Sequence, residues 1–394
     1  MSGRRVIGAE QIEAARRRGR MIVEVLPGDI VTPLAAETAA RLGLDLIDGP
    51  LERAPVARTD GATALRRGLH RRSPKWLAPA PRAAREARRL GRLALVGAGG
   101  VGGTIGLLAA QAGLAREIAL IDITPGLAEA TALDLSHASG ISRTESRVVG
   151  GSSLDLMNGA DVIVVTAGRP RSPSMTRADL TQANRRVIRS VADMIRNVAP
   201  SSIVIVVTNP LDEMTYEMLN ATAFPRERVL GMAGTLDSSR FRHALAIAAG
   251  VTSADVEAIC LGAHGDEMVP IVSRARIKGR PLDVFLSKDA IEVAKRDAVT
   301  GGGQVVALRK TGSATLAPAH ATIELLDHIR GASTGVVPAS VMLKGEFGID
   351  GTVLGVPCQL GSRGLIAVEE MTLFDEERHA LQQAASAIRT RLSG

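Results

Sequence analysis

A doubly wound parallel α/β domain followed by an α+β domain, with a small αβ module and a linker in front, is the fold class that this 394-residue sequence predicts. Three observations predict it. Short, nearly continuous apolar runs alternate with helical stretches between about 91 and 236. A glycine-rich turn separates the first such run from the first helix. Ahead of both, the Pro, Arg and Ala content of 51–90 interrupts any regular pattern. With 45% apolar and 23% charged residues, the chain has the composition of an ordinary globular protein with room for two cores.

Residues 1–50 carry secondary structure of their own. Glu10–Arg18 reads as a short helix, Met21–Val25 as a strand and Pro27-Gly28 as a turn. Thr32 is placed as an N-cap with Pro33 at the first helical position. The helix then runs through Ala35, Ala36, Ala39 and Leu42 to Gly43, which can take the left-handed conformation that ends it. Leu44–Ile47 is a further strand. A module this small buries little surface and is expected to lean on a partner, so 1–50 is read as a docking segment.

Residues 51–90 read as a mobile linker with a helical end over Arg82–Leu90, punctuated by Pro55, Pro74, Pro79 and Pro81. Charge concentrates there. Residues 51–92 hold twelve Arg or Lys against Glu52, Asp60 and Glu86, whereas 1–50 are balanced and 93–394 carry 29 basic and 31 acidic groups. The net charge of +7 therefore describes the linker rather than the body of the protein. Two readings stay open for it, a solvated spacer and a basic patch for an acidic partner. Nucleic acid is the lesser candidate, because aromatics for base stacking make up only 2% of the chain. Cys260 and Cys358 cannot build a disulfide framework and show no CxxC spacing, which points to a reducing compartment. No apolar run reaches the length of a membrane span, and the first thirty residues lack a signal-peptide core. The expected location is the cytoplasm.

Leu93–Val96 reads as the first strand of the 91–236 domain, Gly102–Ala112 as its first helix and Glu117–Ile121 as the next strand. Asp161–Thr166 and Ile203–Thr208 have the continuous apolar character of strands covered on both faces, with Leu180–Asn197 helical between them. Between the first strand and helix lies Gly97-Ala98-Gly99-Gly100-Val101-Gly102. Gly97 permits the tight turn, Gly99 lets backbone approach a pyrophosphate, and Gly102 lets helix and strand pack closely. The helix N-terminus offers free N–H groups to the phosphates. Asp122 ends the next strand, where a carboxylate accepts from both ribose hydroxyls and repels a 2′-phosphate. These features predict a Rossmann domain that binds NAD in preference to NADP.

Residues 237–394 are read as the catalytic domain, with a helix at Ser238–Ala249, a strand-like Val256–Leu261 and a final helix from Glu376 onward. Hydride transfer from an alcohol needs a base near neutral pKa, a cation for the reacting oxygen and another for a carboxylate. Gly262-Ala263-His264-Gly265-Asp266 sets an imidazole between small residues at a strand end. Asp237 can accept the other ring N–H and fix its tautomer. Arg240, three residues on, shares its helical face and carries a fork suited to a carboxylate. No metal site is expected. His243, His320, His328 and His379 show no paired ligand spacing, and His137 reads as a structural helix residue.

With these residues in view, the chain from about 91 to 394 resembles the lactate/malate dehydrogenase family, nearest its lactate-dehydrogenase-like malate dehydrogenases. The segments that carry the resemblance are GAGGVGG at 97–103, TAGRPRSPSMTR at 166–177, VTNP at 207–210, GMAGTLDSSRFR at 231–242 and LGAHGDEMVP at 261–270. The resemblance implies that His264 is the acid/base and Asp237 its orienting partner. It implies that Arg240 clamps the C1 carboxylate, Arg177 polarises the reacting oxygen and Asn209 contacts substrate, with Val207 and Asn184 near the cofactor. Arg171, in Pro170-Arg171-Ser172-Pro173, matches the residue that meets the second carboxylate in malate enzymes. A desolvated Arg would be costly over a monoacid, which agrees with that choice. Ser174 departs from the glycine usual after this proline, and Arg169 is a second cation close by.

The expectation is an NAD-dependent malate dehydrogenase of the tricarboxylic acid cycle, a homo-oligomeric dimer or tetramer. A lactate or other 2-hydroxyacid dehydrogenase is the alternative. Gly19–Ile47, above all Leu26–Ala35, is similar to short extensions on enzymes associated with bacterial microcompartments. That likeness implies recruitment to a larger assembly through residues 1–50 and bears on location, not on chemistry.

Overall fold

The computed structural model describes residues 5–17, 22–26, 28–48, 87–169, 177–310 and 312–393. They fall into two compact units, one within 5–48 and one within 87–393. Residues 51–86 of the linker, including the first five residues of the helical end expected at Arg82–Leu90, lie outside the described residues. Its last residues differ from the expectation: 87–89 are irregular and Leu90 opens a strand. Tertiary pairing decides this, because Leu90 aligns with Ala115 in the sheet and Asp161 accepts the Gly91 N–H at 2.6 Å.

The N-terminal module is a β-α-β unit laid down twice. Strand Val6–Ile7, helix Ala9–Arg17 and strand Ile22–Val25 are followed by strand Ile30–Val31, helix Pro33–Leu42 and strand Asp45–Asp48. Like pairs with like, in parallel: Val6 with Ile30, and Ile22–Val25 with Asp45–Asp48. The two-residue strands are too short for periodicity to reveal, and sequence reasoning missed them. The second helix begins and ends as its sequence dictates. Thr32 Oγ1 accepts the Ala35 N–H at 3.2 Å, Pro33 follows, and Gly43 closes the helix at φ 64°. Ile7, Ile12, Ala35, Ala39 and Leu44 form its small core.

The larger unit is built on one eleven-stranded sheet. Its parallel half runs Arg147–Gly151, Ala115–Ile121, Leu90–Val96, Val162–Val165, Ile203–Val206, Val229–Gly231 across the sheet, a 3-2-1-4-5-6 order. Val162–Val165 and Ile203–Val206 are buried at every position, which explains their unbroken apolar sequence. Helices Gly100–Gln111 and Arg177–Val198 cover opposite faces, the first packing into one core cluster and the second into another.

The sheet then continues without a break. Gly231 pairs with Ser340 of the antiparallel strand Val336–Lys344, which pairs along its length with Asp350–Gly361. Gly364–Val368 pairs back on the latter strand, and Cys260–Gly262 and Met268–Pro270 complete the far side. The expected strand Val256–Leu261 is two strands instead. Val256–Glu257 joins a separate three-stranded sheet through Ile277 and Arg276, while Cys260–Gly262 joins the main one. Side chains along it alternate between two clusters, Val256, Ala258 and Cys260 in one and Ile259 and Leu261 in the other, and residues 258 and 259 pair with neither sheet. Helix Gly234–Ala249 starts four residues before the expected Ser238, which brings Asp237 and Arg240 onto one regular helix. Among the described residues no helix is long and apolar enough to cross a membrane.

Candidate active site

The carboxyl ends of the parallel strands gather the residues that the sequence nominates for nucleotide binding. Strand Leu90–Val96 lies between Ala115–Ile121 and Val162–Val165, at the point where the strand order reverses, which is where sheets of this kind take their ligands. The three glycines of the turn answer three different constraints. Gly97 has φ +108°, and a Cβ there would meet the Ala167 nitrogen at 2.8 Å. At Gly102 a Cβ would overlap the Gly97 carbonyl oxygen. Gly99 differs: a Cβ would meet nothing within 4 Å, so the backbone at the helix N-cap faces open space. That space, beside the free N–H groups of helix Gly100–Gln111, fits a dinucleotide pyrophosphate.

Asp122 follows strand Ala115–Ile121. Its carboxylate accepts the Ala98 N–H at 2.8 Å and the Thr124 N–H at 2.9 Å, so it is tied directly to the glycine turn. Burial works to raise its pKa, but the Thr124 and Ala98 donors outweigh burial and hold the carboxyl below its ordinary value. Val207 is buried in the core at the end of strand Ile203–Val206, its N–H bonded to the Val165 carbonyl. Asn184, 1% exposed, braces two loops: Oδ1 accepts the Arg169 N–H at 2.7 Å, and Nδ2 donates to the Asn209 carbonyl at 2.6 Å. The Asn209 side chain is exposed beside Asn184 at the head of helix Leu211–Thr222.

The candidate acid/base and its partners come from the antiparallel half of the sheet and from helix Gly234–Ala249. His264 follows strand Cys260–Gly262, and its Nδ1 lies 2.9 Å from Asp237 Oδ2. Asp237, 2% exposed, also accepts Arg240 Nη1 at 3.0 Å through its other oxygen. With Nδ1 committed to a carboxylate, Nε2 is the atom left to exchange a proton with substrate. Burial presses the His264 pKa down, but the charge and hydrogen bond of Asp237, with Asp212 adding to them, raise it overall above its ordinary value. Arg171 and Ser174 lie outside the described residues. Arg177 opens helix Arg177–Val198, and its side chain is likewise outside them.

Sequence reasoning missed two parts of this site. Asp212, fully buried, accepts the His264 backbone N–H at 2.7 Å and the Ser340 hydroxyl at 2.8 Å. Its pKa is pushed up to about 6 by burial, against the pull of those two donors. Nothing local marks this residue, because its partners lie 52 and 128 positions away. The second is Gly301-Gly302 in helix Lys288–Arg309, where a Cβ on Gly302 would stand 3.2 Å from Arg240 Nη2. Mid-helix glycine costs about 1 kcal/mol relative to alanine. Its placement against a guanidinium suggests that the room matters more than the helix. No group of His, Cys, Asp and Glu suited to a metal occurs among the described residues. His137, His243, His320 and His379 are exposed and His328 is buried.

Comparison with known proteins accords with this geometry. A model of the lactate/malate dehydrogenase NAD binding domain matches residues 91–231, and one of the lactate/malate dehydrogenase alpha/beta C-terminal domain matches 234–393. Malate dehydrogenase 1 of Anaeromyxobacter dehalogenans is 42% identical over 287 residues, 72% of this chain and 92% of that protein. Malate dehydrogenase of Trichormus variabilis is 41% identical, covering 71% of this chain and 86% of the relative. Among solved structures, Cryptosporidium parvum malate dehydrogenase superposes with a TM-score of 0.74 at 35% identity, covering 78% of this chain and 98% of that one. Cryptosporidium parvum lactate dehydrogenase, solved with lactic acid and nicotinamide adenine dinucleotide, gives 0.75 at 32% identity over the same shares. With its glycine turn, its Asp237–His264 pair and both halves of its main unit matched, the chain belongs to the lactate/malate dehydrogenase family.

Proposed function

We propose that this chain is an NAD-dependent malate dehydrogenase that interconverts malate and oxaloacetate. The observation that carries the chemistry is the 2.9 Å contact between His264 Nδ1 and Asp237 Oδ2, with Arg240 on the same carboxylate. Gly97, Gly99 and Gly102 would seat the pyrophosphate, Asp122 the ribose hydroxyls, and Asn184 and Val207 would lie near the cofactor. The nicotinamide, when bound, supplies or receives the hydride. The protein's own part is proton transfer and charge placement.

In reduction, protonated His264 donates from Nε2 to the substrate oxygen, and Asp237 stabilises the imidazolium beforehand. In oxidation, neutral Nε2 accepts the hydroxyl proton. Arg240 would leave Asp237 in part to take the C1 carboxylate in a two-point bond, and Arg177 would polarise the carbonyl. Asn209, exposed beside the brace of Asn184, would hold the substrate. Arg171 would meet the second carboxylate and select the diacid. The functional division that follows is a linker at 51–90, an NAD-binding domain at 91–236 and a catalytic domain at 237–394.

The lactate reading has one observation in its favour, the equally good superposition on a lactate dehydrogenase. The overall fold therefore does not separate the two substrates, and the relatives named malate dehydrogenase tip the choice. The deciding measurement is NADH oxidation by the full chain with oxaloacetate, pyruvate and longer 2-oxo acids. Oxaloacetate should give the highest kcat/KM. Arg171→Gln should lower it by about a hundredfold and raise relative pyruvate use, in line with loss of a desolvated carboxylate contact. Unchanged oxaloacetate turnover would remove Arg171 from this role. Homo-oligomer formation, a cytoplasmic location and docking through residues 1–50 onto a larger assembly complete the proposal. They rest on the family resemblance and on the extension's own likeness to recruitment segments.

A further inference from the structure

The loop that carries His264 joins strands Cys260–Gly262 and Met268–Pro270 and is tied by side chains at both ends. Gly262 and Gly265 have φ of +88° and +111°, the left-handed conformations that let the chain reverse there, and Gly262 pairs with Met268 across the turn. At the near end, Asp212 accepts the His264 N–H. At the far end, Glu267 extends its carboxylate to the C-terminal helix Asp375–Ser393, where Arg391 Nη1 donates to Oε1 at 2.7 Å. The other oxygen of Glu267 is buried with no further donor among the described residues. Arg391 also donates from Nε to Glu213 at 2.6 Å. Glu213 is 2% exposed and directly follows Asp212 on helix Leu211–Thr222. The two adjacent acids thus reach the two ends of the same loop, Asp212 directly and Glu213 through Arg391.

We propose that Arg391 is a positioning residue, bridging Glu213 and Glu267 so that the loop from His264 to Glu267 is held against the start of helix Leu211–Thr222. The inference rests on His264 being the acid/base of the proposed reaction. Arginine suits the task because its fork presents separate N–H groups to two carboxylates in a fixed plane, which a lysine ammonium does not. A misplacement of about 1 Å in a catalytic group can slow turnover by about a hundredfold, so a loop that keeps its hairpin pairing and the Asp212 contact but loses the Arg391 tie should be a poorer proton donor even when substrate still binds.

Two variants of the full-length protein test it. Glu267→Gln unties the loop and leaves the Glu213–Arg391 contact in place. Glu213→Gln with Arg391→Met removes the Glu213–Arg391 pair together, and Glu267, whose side chain is 33% exposed, is left to solvent in place of its cation. Each should lower kcat by about tenfold and change the substrate KM by less than about twofold. Rising KM at full kcat, or full kcat in both variants, would overturn the proposal. Hydrogen exchange without substrate gives a readout independent of activity: the amides of 262–268 should exchange faster in Glu267→Gln while those of Leu381–Ile388 keep their protection. Unchanged exchange in 262–268 would equally overturn it. If the parent enzyme prefers pyruvate, the kinetic test runs on pyruvate. If it reduces no 2-oxo acid, the proposed reaction fails and exchange alone decides whether the loop is held as described.

Discussion

Asp237 holds both His264 and Arg240, one through each carboxylate oxygen, and that double duty bears on the pH behaviour of the site. The folded-state pKa of His264 is raised, so its stabilising contribution is fully present below the unfolded value of about 6.5 and is lost as pH rises through the folded value. Asp237→Asn keeps a hydrogen-bond acceptor but loses the charge, leaving burial to push the imidazole pKa down. Turnover in the reducing direction should fall by about a hundredfold, and its decline should move to lower pH. The melting difference between parent and variant should shrink as pH rises. A kcat profile that keeps its midpoint would argue against the pair. Asp212→Ala leaves the buried His264 N–H without its acceptor and should cost about 1–3 kcal/mol by urea melting, together with a fall in kcat. Stability and kcat both unchanged would show that another acceptor takes over. At this scale the sequence was most readable where function is local. The three glycines, Asp122, Asp237, Arg240 and His264 each stand in a short nominated stretch, and the fold brings Asp122 to Ala98 in the glycine turn and both His264 and Arg240 to Asp237. Asp212, Glu213 and Arg391 were not readable, because a buried carboxylate becomes meaningful only through partners that folding brings from elsewhere.

Helix Gly234–Ala249 shows how far an element can be inferred and where inference stops. Its interior was legible from Ser238 onward, but its start at Gly234 depends on a close approach: a Cβ there would stand 2.8 Å from Pro338 Cβ. Strand Val336–Lys344, which supplies that neighbour, had no clear signature because it is buried along most of its length and lacks alternation. The same reasoning applies to helix Lys288–Arg309, whose glycines look like helix breakers in isolation. Their value appears only opposite Arg240. Gly302→Val should strengthen the helix while crowding the guanidinium, so KM for the 2-oxo acid should rise by about tenfold with a smaller change in kcat. An unchanged KM would mean that Arg240 has room to move aside. In the N-terminal module the capped helix Pro33–Leu42 was fully legible, whereas strands of two residues were beyond any periodic reading.

At the scale of the whole chain, the division into a module within 5–48 and a unit within 87–393 predicts separable roles. Removing residues 1–86 should leave NADH oxidation within about twofold of the full chain, since domains of this kind carry their own cores. Loss of activity on truncation would make the front segment part of the enzyme's architecture. Fold class was legible here because the strand–helix alternation and the glycine turn are both local signals. The continuation of the parallel sheet into the antiparallel half was not, because it depends on the single register pair Gly231 and Ser340, far apart in sequence. That continuity has a mechanical consequence. On the proposed reading, the groups that would grip the dinucleotide and those that would move the proton are mounted on one continuous girder, not on two bodies joined by a hinge. Admission of substrate must then be the business of surface segments, and tension applied at one end of the girder should be felt as stiffness at the other.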